Sequence, residues 1–427
     1  MKGSHYVVLG MGISGRSAAK ALLHLGAAVT AYDRRAEALK IDPAIASLIH
    51  RGLELYQDED PYFPAHCSGV ILSPGIPLEH SICKKALELK IEVVGEIEFA
   101  CRHLKGKFIG VTGTNGKTTV TSHIVHTLNF YGISAKAMGN IGIPLSELLC
   151  EDDNVDVVAL ELSSYQLETM STPVLDTAIF LNLTPDHLDR YNDMDEYGSS
   201  KARIGLCLKP GRPLYISSEL KQNYAQLFAK MPYDLSVYDS YLTHFDSSLP
   251  LHDQQNIAAV CAICSYWNIG YKKVLDAFKT FSKGEHRIEF VASVNGIDFY
   301  DDSKGTNVDA VIKAVSAIPK KIILIAGGVP KGAKFTCWKK PFSGKVKAVC
   351  AIGEAAGQLH HELGDDYTVN SYQTLEEAVN SAFMLAGQGD VILLSPGCAS
   401  FDMFRDYAHR GQVFQECVQR LSCKHPS

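Results

Sequence analysis

The run Thr112-Gly113-Thr114-Asn115-Gly116-Lys117-Thr118-Thr119 concentrates more usable chemistry than any other stretch of the chain. Its glycines let backbone N–H groups turn inward around phosphate oxygens, and the helix expected directly after it adds the partial positive charge of an N-terminus. Lys117 supplies a point charge for β- and γ-phosphates, and Thr118 offers a hydroxyl to Mg²⁺. Gly113, Thr114, Asn115, Gly116 and Thr119 complete the wrap, so the loop reads as a binding site for the triphosphate of ATP. The usual pattern begins with a glycine five residues before the Gly-Lys pair. Val111 stands there, which makes this a shortened variant.

Two further segments could serve the same nucleotide. Glu161 ends an apolar run, 155–160, and a carboxylate at a strand end beside a phosphate loop is placed to hold Mg²⁺. His187 lies in a polar loop after a second such run, 177–182. Read alone, Glu161 is either an ion ligand or a solvated carboxylate, and His187 either a metal ligand or an ordinary loop histidine. Near the N-terminus, Gly10-x-Gly12-x-x-Gly15 with Asp33 at the end of the next strand imitates a dinucleotide fingerprint. By itself that pattern suggests an NAD-dependent oxidoreductase, but it leaves the second phosphate loop without a purpose. A nucleotide-binding protein without catalysis stays open at this point.

These motifs need strands and helices to position them, and the pattern of the chain supplies both. Short apolar runs alternate with helix-period segments throughout. Strands are expected over 6–9, 29–32 and 70–72, with helices over 16–25, 81–89 and 96–102. A new strand over 108–111 feeds the phosphate loop and a helix over 117–131. Strands over 135–138 and 155–160, a helix over 194–206 and another over 253–267 come next. After a break at 282–284, strands over 321–326, 348–352 and 391–394 mark a third region. At 427 residues the chain has room for about three domains. The boundaries expected are 1–95, 96–284 and 285–427, all α/β.

Apolar residues at 46% and charged residues at 21% describe an ordinary globular balance. A net charge of −6 argues against nucleic acid as the main partner. No apolar run approaches membrane-spanning length, and the start of the chain lacks the pattern of a secretion signal. Twelve cysteines are scattered without pattern, as in a reducing cytoplasm. Cys261 and Cys264 have the C-x-x-C spacing, but they fall in an apolar helical stretch that reads as core.

Over essentially its whole length the chain resembles the Mur ligase family, the ATP-dependent amide-forming enzymes of peptidoglycan precursor synthesis. The phosphate loop carries the resemblance together with Gly139-Asn140-Ile141-Gly142, Glu161-Leu162-Ser163-Ser164-Tyr165-Gln166-Leu167 and Asp186-His187-Leu188-Asp189-Arg190-Tyr191. Tyr197-Gly198-Ser199-Ser200-Lys201, His286-Arg287 and Asp302-Ser303-Lys304-Gly305-Thr306-Asn307 continue it. The compact N-terminal region, Ser73-Pro74-Gly75-Ile76-Pro77 and the Asp-Ser-Lys-Gly-Thr-Asn signature are most similar to the branch that adds D-glutamate to UDP-N-acetylmuramoyl-L-alanine. A superfamily relative acting on another acceptor, such as folylpolyglutamate synthetase, is the competing reading, and the UDP-type N-terminal region argues against it.

The resemblance implies a Rossmann-like N-terminal domain for the UDP substrate, a central P-loop ATPase-like domain and a Rossmann-like C-terminal domain for the amino acid. It implies a cytoplasmic monomer acting on small molecules, with ATP and two Mg²⁺ ions, for which Mn²⁺ can substitute. Lys117 then holds the β- and γ-phosphates, Thr118 and Glu161 serve one ion, and His187 the other. Asn256, Arg287 and Asp302 touch ATP. Ile13, Ser14, Arg35, Gly75 and Asn140 contact the UDP substrate, and Lys304, Thr306, Lys331, Ser400 and Phe401 hold D-glutamate. Lys201 matches a lysine that the family carries as a carbamate and that helps hold an ion. Two departures stand out. Asp253 replaces an asparagine that the family usually carries at the start of the Asn256 helix, and Val329 replaces a common acidic residue.

Overall fold

In the computed structural model, residues 1–58, 62–151, 155–229, 231–244, 249–282 and 284–424 are described. Lys283, within the break expected at 282–284, lies outside them. Packing divides the chain into two compact units. One comprises Met1–Asn182 and Gly198–Phe281; the other comprises Leu183–Tyr197 and Ser282–Ser427.

The first unit holds two parallel sheets. The N-terminal sheet contains β1 (His5–Leu9), β2 (Ala28–Tyr32), β3 (Leu53–Tyr56), β4 (Gly69–Leu72) and β5 (Val93–Gly95), in the order β3-β2-β1-β4-β5. The second contains β6 (Lys107–Thr112), β7 (Ala135–Gly139), β8 (Val157–Glu161), β9 (Thr177–Phe180), β10 (Leu214–Ile216) and β11 (Leu235–Val237), in the order β11-β10-β9-β6-β8-β7. Central strands such as β4, β8 and β9 are buried along their whole length. Helices cover both faces of such sheets, so their strands read as continuous apolar runs rather than alternating ones.

Each order contains a point where the chain switches direction across the sheet, β1 beside β4 and β6 between β8 and β9. Crevices for ligands form there, beyond the carboxyl ends of the strands. The Gly10 and Ser73 loops succeed β1 and β4. The phosphate loop succeeds β6, Glu161 ends β8, and Asn182 lies just past β9. Parallel register puts Val111 beside Glu161 and Thr112 beside Phe180.

The second unit has one mixed sheet of β12 (Glu289–Val294), β13 (Ile297–Asp301), β14 (Ile322–Gly327), β15 (Val346–Ile352), β16 (Thr368–Tyr372) and β17 (Val391–Leu394), in the order β12-β13-β17-β14-β15-β16. The β12–β13 pair is antiparallel and was not anticipated from the apolar pattern. Its turn is Asn295-Gly296, with φ of 52° and 74°, the Asn-Gly pair that two-residue hairpins favour. Trp338 is fully buried in this unit, its indole N–H donating to the Val308 carbonyl.

The helix expected over 194–206 is α-helical only over Met194–Ala202 and then tightens into a 3₁₀ turn, Arg203–Cys207. Gly205, a poor helix residue, sits there against the Tyr233 ring, where a side chain would not fit. Among the described residues, no helix is long and apolar enough to cross a membrane.

Candidate active site

In the first unit the phosphate loop is braced by three hydrogen bonds with Asn182. Asn182 accepts the Asn115 N–H through its side-chain oxygen at 2.9 Å and donates its amide to the Asn115 carbonyl at 3.0 Å. Its backbone carbonyl accepts the Thr114 N–H. Gly116 opens the helix Lys117–Phe130 at φ +85°, a conformation that disfavours any side chain. A Cβ there would stand 2.9 Å from Asn256 Oδ1, which places Asn256 directly on the loop.

Glu161 is buried at the end of β8, and its Oε1 accepts the Asn140 side-chain amide at 2.8 Å. The Asn140 N–H donates in turn to the Glu161 carbonyl, so the two residues form one rigid pair beside the loop. Lys201 is 1% exposed and donates to the Gly113 carbonyl at 3.0 Å. Lys117 donates to the same carbonyl at 2.8 Å. The two amino groups therefore stand within about 6 Å of each other, where like charges repel by roughly 3 kcal/mol at an effective dielectric near 20. That convergence suits a polyanion. The hydroxyl of Thr118 and the carboxylate of Glu161 are the oxygen donors that Mg²⁺ prefers. The chemistry of the donor set therefore fits both ATP and its ion.

At the N-terminal sheet, Asp33 spends both carboxylate oxygens on nearby backbone. Oδ2 accepts the Met11 N–H and Oδ1 the Arg35 N–H, each at 2.8 Å. A dinucleotide fingerprint needs that carboxylate for a ribose. The Arg35 side chain, 70% exposed, keeps its Nε 3.7 Å from Asp33 Oδ1. Ile13 is 76% exposed at the start of its helix, and Ser14 lines a small open cleft with Leu72, Pro74, Gly95, Glu96 and Gln166. Burial raises the Glu96 carboxyl to about 7.

In the second unit, Lys331 pairs with Asp186 at 3.2 Å and reaches Thr306 Oγ1 at 3.4 Å. Asn307 donates to Asp186 Oδ2 at 3.2 Å while its side-chain oxygen caps the helix Val308–Ala317. His187 has φ +56°, its N–H bonded to Asp186 Oδ1. Lys304 lies over the Tyr407 ring at 5.0 Å. Ser400 is buried and Phe401 is 74% exposed beside it. Val329 and Ala399 exchange both backbone hydrogen bonds, which ties the loop carrying Lys331 to the one carrying Ser400. Asp302 accepts the Ser395 hydroxyl at 2.7 Å, and burial raises its carboxyl to about 7 despite the attraction of Arg287. Arg287 itself is flanked by His286 and Ile288, both at positive φ. The His286 ring bonds to Asp301 at 2.7 Å.

Three family models cover most of this chain. Residues 4–95 match the Mur ligase MurD-like N-terminal domain, 111–241 the Mur ligase middle domain, and 286–398 the Mur ligase glutamate ligase domain. The chain belongs to the Mur ligase family. It is 45% identical over 439 residues to the UDP-N-acetylmuramoylalanine--D-glutamate ligase of Protochlamydia amoebophila, covering 98% of both chains. It is 35% identical to the ligase of the same name from Methylobacillus flagellatus, covering 100% of this chain and 99% of the relative. The fold resembles that of UDP-N-acetylmuramate-alanine ligase from Thermotoga maritima, with a TM-score of 0.59 at 16% identity over 98% and 99% of the two chains. The MurF ligase from Thermotoga maritima, solved in complex with ADP, gives 0.58 at 13% identity over 89% of this chain and 91% of that one.

Within this Mur ligase, the first unit brings Lys117, Asn140, Glu161, Lys201 and Asn256 to one loop. The second gathers Thr306 and Lys331, and it also carries His187, Arg287, Asp302, Lys304, Ser400 and Phe401. Reading the sequence passed over Asn182, Asp186 and Arg410. Asn182 closes an apolar run and Asp186 precedes His187, so both carried a local signal. Arg410 carried none, because an arginine in a C-terminal helix reads as a solvated residue.

Proposed function

We propose that this chain is an ATP-dependent ligase that joins D-glutamate to UDP-N-acetylmuramoyl-L-alanine in peptidoglycan precursor synthesis. The observation that carries the reading is end-to-end similarity to ligases of that name, with the phosphate loop, Glu161 and the Lys304 and Ser400 loops all present.

In this reading Lys117 and the loop N–H groups orient the γ-phosphoryl group toward the terminal carboxylate of the UDP substrate, which Asn140 positions. Phosphoryl transfer converts that carboxylate into an acyl phosphate, exchanging a poor leaving group for a good one. The amine of D-glutamate attacks the acyl carbon, gives up a proton, and phosphate departs from the tetrahedral intermediate. The protein contributes mainly placement and neutralised charge. Thr118, Glu161 and a carbamylated Lys201 would hold Mg²⁺, and His187 a second ion; the ion's part there is to offset phosphoryl charge. Carbamylation of Lys201 is supported by the crowding of two amino groups on the Gly113 carbonyl, because it replaces repulsion with attraction. Ile13, Ser14, Arg35 and Gly75 are the proposed contacts to the UDP group. Lys304 and Lys331 answer the two carboxylates of D-glutamate, with Thr306, Ser400 and Phe401 completing its site. Asn256, Arg287 and Asp302 complete the ATP site.

The test is phosphate release from ATP and UDP-N-acetylmuramoyl-L-alanine with D-glutamate, L-glutamate, meso-diaminopimelate or lysine as acceptor. Release should depend on D-glutamate. Equal release with any other acceptor, or none with D-glutamate, would overturn the assignment.

A further inference from the structure

Arg410 lies in the helix Tyr407–Lys424 and is 0% exposed. Burial draws its guanidinium down only to about 10, so it stays charged at neutral pH. Among the described residues no carboxylate forms a direct ion pair with it. Its Nη1 and Nη2 donors go to main-chain carbonyls instead, while the buried Nε has no hydrogen-bond partner among the described residues. Nη2 donates to the Ser303 carbonyl at 2.9 Å and to the Cys398 carbonyl at 3.1 Å; Nη1 donates to the Ala399 carbonyl at 3.4 Å.

A peptide group is planar, so fixing a carbonyl also fixes the N–H of the next residue. The Ser303 carbonyl thereby orients the backbone of Lys304, and the Ala399 carbonyl that of Ser400. The Ala399 carbonyl also accepts the Val329 N–H at 2.9 Å, two residues before Lys331. The Lys331 loop also passes nearby: a Cβ added to Gly328 would stand 3.3 Å from Nη1. One planar fork thus bonds two of the loops that carry the acceptor residues and reaches the third through the shared Ala399 carbonyl. A lysine ammonium at this position has three donors but no fixed spacing between them.

We propose that Arg410 is a positioning residue for the acceptor amino acid, setting through the Ser303, Cys398 and Ala399 carbonyls the spacing of the side chains that grip its two carboxylates. The inference rests on the proposed ligase activity and deepens it. Its effect falls on the acceptor step, because the carbonyls of Ser303 and Ala399 directly precede the acceptor residues Lys304 and Ser400.

The experiment compares Arg410→Lys with the parent chain in three readouts: the KM of each substrate, the melting temperature, and acyl phosphate trapped as a hydroxamate with hydroxylamine in the absence of D-glutamate. The KM for D-glutamate should rise at least tenfold, the other two should stay within about threefold, and hydroxamate should still form. An unchanged KM for D-glutamate, or a parallel loss in all three substrates and in hydroxamate, overturns the proposal. If Arg410→Lys does not fold, Arg410→Ala is prepared with guanidinium ion present. Restored D-glutamate affinity supports the proposal, and restored melting temperature without it overturns it. Parent chain that gives hydroxamate but no D-glutamate-dependent phosphate would instead sink the ligase reading, whatever happens at Arg410.

Discussion

Replacing Asp302 by asparagine should make the second unit more stable at neutral pH, although it removes a charged residue from the proposed active site. The Asp302 carboxyl is buried and raised to about 7, against about 3.9 for an ordinary aspartate. The Ser395 hydroxyl and the Arg287 charge favour ionisation but do not overcome burial. The folded chain therefore holds this proton more tightly than the unfolded one. Below pH ~4 both states are protonated and the group is neutral to stability. As pH rises the unfolded chain ionises first, so folding loses free energy until pH passes 7. The gap of roughly three pH units corresponds to a loss of about 4 kcal/mol. Asp302→Asn keeps the shape and removes the titration. Urea unfolding followed by Trp338 fluorescence isolates the second unit once Trp267, the other tryptophan, is changed to phenylalanine. Glu96 titrates over the same range in the first unit and cancels between variant and parent. The stability difference, variant minus parent, should grow by about 3 kcal/mol between pH 4.5 and 7.5. A difference that is flat, or that shrinks with pH, would show an Asp302 carboxylate already ionised and stabilising, and the burial reasoning would fall.

Lys117→Ala should abolish ATP-driven phosphate release while leaving the circular dichroism spectrum and melting temperature unchanged; near-normal turnover would refute the loop assignment. Lys201→Ala should lose activity and regain part of it with added short carboxylates such as acetate, whereas a fully active variant ends the carbamate reading. Gly116→Ala forces a side chain into the left-handed region and against Asn256 Oδ1, so it should cost about 1–2 kcal/mol and raise the KM for ATP. A thermal melt and an ATP titration check both parts, and no change in either would mean that the loop opens without resistance.

Local pattern by itself determined the phosphate loop, the apolar strands that end at Glu161 and Asn182, and the α/β class. Each depends on residues adjacent in sequence, and burial on both faces leaves a continuous apolar run that needs no partner to be recognised. Even the β12–β13 hairpin was written locally, in Asn295-Gly296, although the apolar pattern alone did not reveal it. Tertiary structure decided what no window of sequence contains. It paired Asn140 with Glu161 and brought Lys117 and Lys201 onto one carbonyl. It also set Asp186 against Lys331 and buried Arg410 against the carbonyls of Ser303, Cys398 and Ala399. Parallel strands joined by crossovers bring together residues from distant segments at their carboxyl ends. A charge in a helix declares whether it is solvated or structural only once its neighbours are in place. That is why the phosphate loop of this chain was legible from its residues, and the carbonyl contacts of Arg410 were not.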